Sequence, residues 1–335
     1  MQDRAPWWLP DGHSQTIWAA LWARPGTGSL PTWHRERWDT PDGDFIDVDW
    51  LQASSPARPW LVVFHGLEGS SQSHYARAFA HWALRHDVQL VLPHFRGCSG
   101  ELNRAPRAYH SGDHEEIHWI LVRLRAQHRS AGGRITMAAG VSLGGNALMR
   151  WAAEHGHAAQ AQVDAIASIC APLDRSQSGA AIGRGLNRLI YTRMFLRSMK
   201  PKALAKLAQH PGLFDRKRLM AARDLYEFDN VFTAPLHGFR DTADYWQRAS
   251  AKPGMGSIRV PALALNACND PFIPADSLPQ PQDVSPQVTL WQPRHGGQVG
   301  FAAAPWPGTL KPLPEAVGGW LLAAAGGPAP EVAHG

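Results

Sequence analysis

One short stretch limits the folds open to this chain more than any other. An apolar run, Ile135 to Ala139, passes through Gly140-Val141-Ser142-Leu143-Gly144-Gly145 directly into a helical pattern that reaches Glu154. This order predicts a strand, a very tight turn and a helix. A serine at the centre of such a turn sits in a strained backbone conformation, with its side chain projecting above the sheet. Gly140 and Gly144 are required because a Cβ at either position would collide across the turn. The helix N-terminus beside Ser142 also offers partial positive charge and free N–H groups to a developing oxyanion. A glycine-rich connection with an incidental serine would share the string, but not this strand, this helix and the upstream loop.

The turn sits inside a regular alternation of short apolar runs and longer helical patterns. Strands are predicted at Trp60 to Phe64, Val88 to Leu92, Ile135 to Ala139, Val163 to Ile169, Val260 to Leu265 and Val288 to Trp291. Helices are predicted near Ser73 to Arg85, Asp113 to Arg129 and Leu143 to Glu154. Continuous apolar strands alternating with helices imply an α/β protein, with a mostly parallel central sheet covered by helices on both faces. Arg35 to Trp38 and Phe45 to Trp50, the second alternating around Asp47 and Asp49, read as antiparallel edge strands. Strand signals are missing from about Asp174 to Ser250, which reads as a helical cap inserted into the alternation. The expected organisation is therefore an N-terminal arm with edge strands (1–57), a first core part (58–173), the cap (174–250), a second core part (251–325) and a flexible tail (326–335).

Two further loops supply chemistry. His65-Gly66-Leu67-Glu68-Gly69 follows the first parallel strand, where the loop of such a fold lends one backbone N–H to an oxyanion; the residue after the nucleophile lends the other. Leu67 and Leu143 are the candidate donors. His65, at a strand end before glycine, reads as structural rather than as a base. Asn266-Ala267-Cys268-Asn269-Asp270-Pro271 follows the strand Val260 to Leu265, and Asp270 is the acid of that loop. Its place after the serine in chain order favours a triad carboxylate over a turn-former before Pro271.

Taken together, these residues resemble the YheT-like subfamily of the α/β-hydrolase fold, and the resemblance spans nearly the whole chain. Gly12-His13-Ser14-Gln15-Thr16-Ile17 is similar to the subfamily's N-terminal segment, and Phe95-Arg96-Gly97-Cys98-Ser99-Gly100 to its Arg-Gly-Cys loop. His65 to Gly69, Ser142 to Asn146 and Asn269 to Phe272 match its oxyanion, elbow and acid loops. The resemblance implies ester hydrolysis by a Ser-Asp-His triad, with no metal and no organic cofactor. One motif departs. The subfamily's His-Gly-Gly-His-x-Gly-Phe reads here His295-Gly296-Gly297-Gln298-Val299-Gly300-Phe301, and an amide cannot accept and return a proton near neutral pH. Two readings follow. Either His295 swings in as base on the two glycines, or the base is lost and a weakened hydrolase or a binding protein remains.

Composition narrows the remaining classes. The chain has 335 residues, 44% hydrophobic and 18% charged, and no run long enough to span a membrane. Met1 to Pro6 lacks the pattern of a signal peptide, and Cys98, Cys170 and Cys268 form no disulfide framework. Both features suit a cytoplasmic protein. Ten lysines and arginines against the single acid Asp215 lie between Arg184 and Arg218. No nucleic-acid module accompanies them, so nucleic acid is set aside as a partner, and a solvated basic face is the simpler reading. His110, His114 and His118 recur every four residues, but a helix start at Ser111-Gly112-Asp113 leaves His110 outside, so no metal site is expected. Trp7, Trp8, Trp18 and Trp22 can pack an N-terminal arm on the core, cover an acyl pocket or touch a membrane surface. The function expected is a serine carboxylic-ester hydrolase acting on a small or lipid-like ester, with acyl transfer to alcohols as a close variant. Ser142 is its nucleophile, His295 its base and Asp270 the residue that orients the base.

Overall fold

The computed structural model describes residues 5–23, 32–303 and 305–326. The expected tail lies outside them apart from Gly326. Eight strands build one sheet: β1 (His34–Asp39), β2 (Phe45–Leu51), β3 (Trp60–Phe64), β4 (Gln89–Pro93), β5 (Thr136–Val141), β6 (Ala165–Ile169), β7 (Ala262–Leu265) and β8 (Val288–Trp291). Their order is β1-β2-β4-β3-β5-β6-β7-β8. From β4 to β8 every pairing is parallel, while β2 is antiparallel to both β1 and β4. This α/β-hydrolase arrangement is the one expected, and six of the eight strands follow from their continuous apolar runs.

The helices are α1 (Gly12–Leu21), α2 (His74–Arg85), α3 (His114–Ser130) and α4 (Leu143–His155), then seven between β6 and β7, and last α12 (Pro312–Ala324). The seven are α5 (Arg175–Ile182), α6 (Gly185–Asn187), α7 (Arg193–Gln209), α8 (Arg216–Ala221), α9 (Leu225–Val231), α10 (Thr233–Leu236) and α11 (Thr242–Ala249). The sheet separates two apolar layers. Ile117, Leu121, Leu148 and Trp151 from α3 and α4 pack on one face. Phe79 and Trp82 from α2, with Val317 and Leu321 from α12, pack on the other. The insert has a core of its own around Leu196, Leu219, Phe228 and Trp246. Among the described residues no helix is long and apolar enough to cross a membrane.

Two local features differ from the sequence reading. β1 is the edge, whereas β2 lies inside the sheet with Asp47 and Asp49 buried. The register sets Arg37 opposite Asp47 and Arg35 opposite Asp49, and each arginine makes two hydrogen bonds to its carboxylate. His94 Nε2 adds a third contact to Asp49 at 2.8 Å. A buried carboxylate with such partners keeps its charge. Within the basic run, Arg193 and Arg197 are exposed, but Lys206 is buried, with its ammonium donating to Asn103 O and Ala105 O.

Candidate active site

Ser142 stands between β5 and α4 with φ 52° and ψ −116°, a conformation that costs a non-glycine residue about 1–3 kcal/mol. Close packing imposes it. A Cβ on Gly140 would lie 2.4 Å from Gly144 O, and one on Gly144 would lie 2.5 Å from both Phe64 O and His65 O. The Ser142 amide is tied to Ile169 O of β6 at 2.8 Å. Its side chain makes no capping bond to the helix, so Oγ is not engaged by the amides beside it. Leu143, the first residue of α4, has one of the amides that an α-helix leaves unpaired.

The loop after β3 lies against this turn: a Cβ on Gly66 would come within 3.3 Å of the Ser142 Cβ. His65 is structural. Its Nε2 accepts from Phe95 N at 3.0 Å, which leaves Nδ1 to donate to Gly66 O at 2.7 Å, and full burial pushes the imidazole down to about 3, so it stays neutral. The loop's course is held by Tyr75, whose hydroxyl accepts from Gly66 N, and by Tyr109. The Tyr109 hydroxyl accepts from Glu68 N and donates to the Glu68 carboxylate. Glu68 itself has φ 57° and pairs with Lys202 of α7 at 2.8 Å. Neither the Leu67 nor the Leu143 amide bonds to another described residue. Both residues line a single cleft, as do Met199, Phe228 and Phe232 of the insert.

Asp270 is buried at the end of β7. Its Oδ1 accepts from Phe272 N at 2.8 Å, whereas Oδ2 has no partner among the described residues. Burial without a neighbouring cation pushes this carboxyl up to about 8, so it holds a proton at neutral pH. Gln298 is also buried. Its Nε2 donates to Cys170 O at 3.2 Å, and its Oε1 is unpartnered. Cys170 feels the charge of Asp270, so Gln298 and Asp270 converge on the same residue at the end of β6. His295 does not join them: it is half-buried, and its Nδ1 lies 3.5 Å from Asn269 Nδ2. Among the described residues it shows no bond to Ser142 or Asp270.

Sequence reasoning missed the residues that fix this loop. Gln15 Oε1 accepts from both Gly296 N (2.8 Å) and Asn269 Nδ2 (3.1 Å), and Thr16 Oγ1 accepts from Gln298 N at 2.9 Å. Asn269 Oδ1 accepts from Gly297 N at 3.0 Å. Gly297, at φ 51°, lies so close to α1 that a Cβ there would be 2.6 Å from Gly12 O. Gln15 and Thr16 follow His13 and Ser14 in the same polar stretch, so the sequence carried no signal that singled them out. Asn146 was missed in the same way. It donates to Ser111 O and Ala249 O, both at 2.7 Å, and accepts from Ala251 N, tying the insert's return to α4.

The other sequence candidates lie apart. α3 begins at His114 with Asp113 at its N-cap, leaving His110 outside and facing His237, while His118 stacks on His155 at 4.1 Å. Of the N-terminal tryptophans, Trp8 and Trp18 pack edge to face, and Trp7 and Trp22 are exposed.

Comparison with known proteins identifies the fold and the family. Residues 59–305 match the alpha/beta hydrolase fold family. The putative esterase YheT of Escherichia coli is 39% identical over 293 residues, covering 86% of this chain and 84% of that protein. The mouse phospholipase ABHD3 is 27% identical, covering 90% and 73%, and the yeast monoacylglycerol lipase 28%, covering 74% and 56%. Among solved structures, an esterase of Pyrococcus furiosus superposes with a TM-score of 0.56 at 14% identity, covering 90% of this chain and 95% of that one; this shows the shared fold. The chain belongs to the α/β-hydrolase fold family, in its YheT-like branch.

Proposed function

We propose that this protein is a serine carboxylic-ester hydrolase acting on a small or lipid-like ester. The observation that carries the reading is the strained Ser142 at the head of α4, set against the Leu67 loop and followed by Leu143, which with Leu67 lines a cleft. Esterase and lipase names among the relatives support the same class of reaction. In this reading Ser142 Oγ attacks the acyl carbonyl and gives up its proton to His295. The Leu67 and Leu143 amides stabilise the oxyanion, and the alcohol leaves as His295 returns the proton. Water then releases the acid; an alcohol in its place gives acyl transfer. Asp270 orients the imidazole. For His295 to reach Ser142, the 295–298 loop must give up its bonds to Gln15 and Asn269.

One observation favours a second reading, a catalytically weakened hydrolase that retains its binding cleft. Gln298 is buried and bonded to Cys170 O, and Asp270 Oδ2 lacks a partner among the described residues. A fluorophosphonate probe combined with a p-nitrophenyl ester assay separates the two. The hydrolase reading expects labelling at Ser142, lost in Ser142→Ala, and turnover reduced by orders of magnitude in His295→Ala. Absence of both labelling and turnover rejects it. Turnover indifferent to His295→Ala, with a gain of about 100-fold or more in Gln298→His, assigns the weakened form.

A further inference from the structure

Four basic side chains line the cleft, and three of them are already engaged. Arg96 donates to Asp42, Asp44 and Glu116. Lys206 donates to two backbone carbonyls, and Lys202 pairs with Glu68. Arg175, the first residue of α5, differs. Only 14% of its side chain is exposed, its Nε is buried without a partner, and among the described residues no N–H of its guanidinium makes a hydrogen bond.

Its ion pair with Asp229 is a long one. Asp229 stands 3.9 Å from Arg175 Nη2, beyond hydrogen-bond reach. The Asp229 carboxylate is already served by Thr233 Oγ1 at 2.6 Å and Trp246 Nε1 at 2.8 Å, and its burial raises its affinity for a proton. The guanidinium is instead held over the rings of Tyr245 and Trp246, 5.7 and 5.9 Å from their centroids. Leu143 lines the same cleft. A planar guanidinium beside aromatic rings, in a long ion pair but with no hydrogen bond from its N–H groups among the described residues, is suited to take an oxyanion through two parallel bonds.

We propose that Arg175 is a specificity-determining residue that binds a second, anionic group of the substrate, a carboxylate or a phosphate, in the cleft beside Ser142. The assignment rests on the reading of this cleft as the substrate site. It does not depend on which group acts as base. The ester would carry its negative charge on the part that reaches under α9 and α11, while Met199, Phe228 and Phe232 cover its apolar part.

The experiment uses binding, so that catalysis and recognition fail separately. In the full-length Ser142→Ala protein, calorimetry would compare monomethyl glutarate, its uncharged dimethyl ester and a butyryl ester of glycerol 3-phosphate. At least one charged ester is expected to bind about tenfold or more tightly than the diester, the scale of one charge-assisted hydrogen-bond pair. Arg175→Gln should abolish that preference, and Arg175→Lys should retain part of it. Preference for the carboxylate alone or the phosphate alone identifies the group. Equal binding of charged and uncharged esters, or a preference that survives Arg175→Gln, overturns the proposal. Should Arg175→Gln fail to fold, Arg175→Lys is the second variant: a reduced charged-ester preference supports the proposal, and an unreduced one overturns it. Charge-selective binding without fluorophosphonate labelling would reject the hydrolase and leave Arg175's role intact.

Discussion

At the scale of single residues, the burial of Asp270 has a measurable signature. Its ordinary value is 3.8, and burial pushes the folded-state value up to about 8. In the unfolded chain the carboxyl ionises near pH 4, whereas in the fold it keeps its proton to about pH 8. Stability from this group is therefore full below about pH 4 and falls as pH rises through the window between those values. Asp270→Asn removes the ionisable group, so its melting temperature should exceed the parent's by several degrees at pH 9, the gap closing toward pH 4. A gap independent of pH would contradict this account of the carboxyl. Nothing in the sequence marked Asp270 as protonated. The motif identified the residue, but its charge state depends on burial that only the fold supplies.

At the scale of elements, helix α1 and the start of α4 act as braces. Gln15 takes two donors from different loops through one oxygen. Gln15→Ala leaves both donors without that acceptor and should cost about 1–3 kcal/mol, read from urea unfolding, while slowing fluorophosphonate labelling. Gln15→Glu, which keeps an acceptor oxygen, should recover part of both. Asn146→Ala strands Ser111 O, Ala249 O and the Ala251 amide together. A loss of more than about 2 kcal/mol is expected, and a loss within 0.5 kcal/mol, the range of an ordinary surface change, would refute the bracing role. The strands were legible because periodicity is local: Trp60 to Phe64 and Val288 to Trp291 lie where the apolar runs place them. The roles of Gln15, Thr16 and Asn146 were not legible. Their partners are distant in sequence, and a side chain's hydrogen-bonding capacity does not reveal which backbone group will answer it.

At the scale of the whole molecule, the helical insert grips the sheet's loops by a few long-range bonds. Lys202 of the insert holds Glu68, the residue after a candidate oxyanion donor, and Lys206 reaches the loop at Asn103. Lys202→Met should leave the fold intact by circular dichroism and slow labelling of Ser142 by up to about tenfold, the size of one lost charge-assisted contact. Unchanged labelling would show that the insert and the oxyanion loop are independent. The basic run was visible in the sequence, but not its division into exposed arginines and an inward-facing Lys206, which depends on how α7 lies across the core. The contacts of α1 carry a consequence for synthesis of the chain. Gln15 and Thr16 bond to residues 281 and 282 positions later. At about 5–20 residues per second, the ribosome delivers those partners on the order of tens of seconds after α1 has emerged. Throughout that interval Gln15 and Thr16 lack the loop they brace. Helix α1, among the first elements made, therefore gains its bracing contacts only late in synthesis, and a nascent chain halted before residue 296 would leave Gln15 Oε1 without its Gly296 donor.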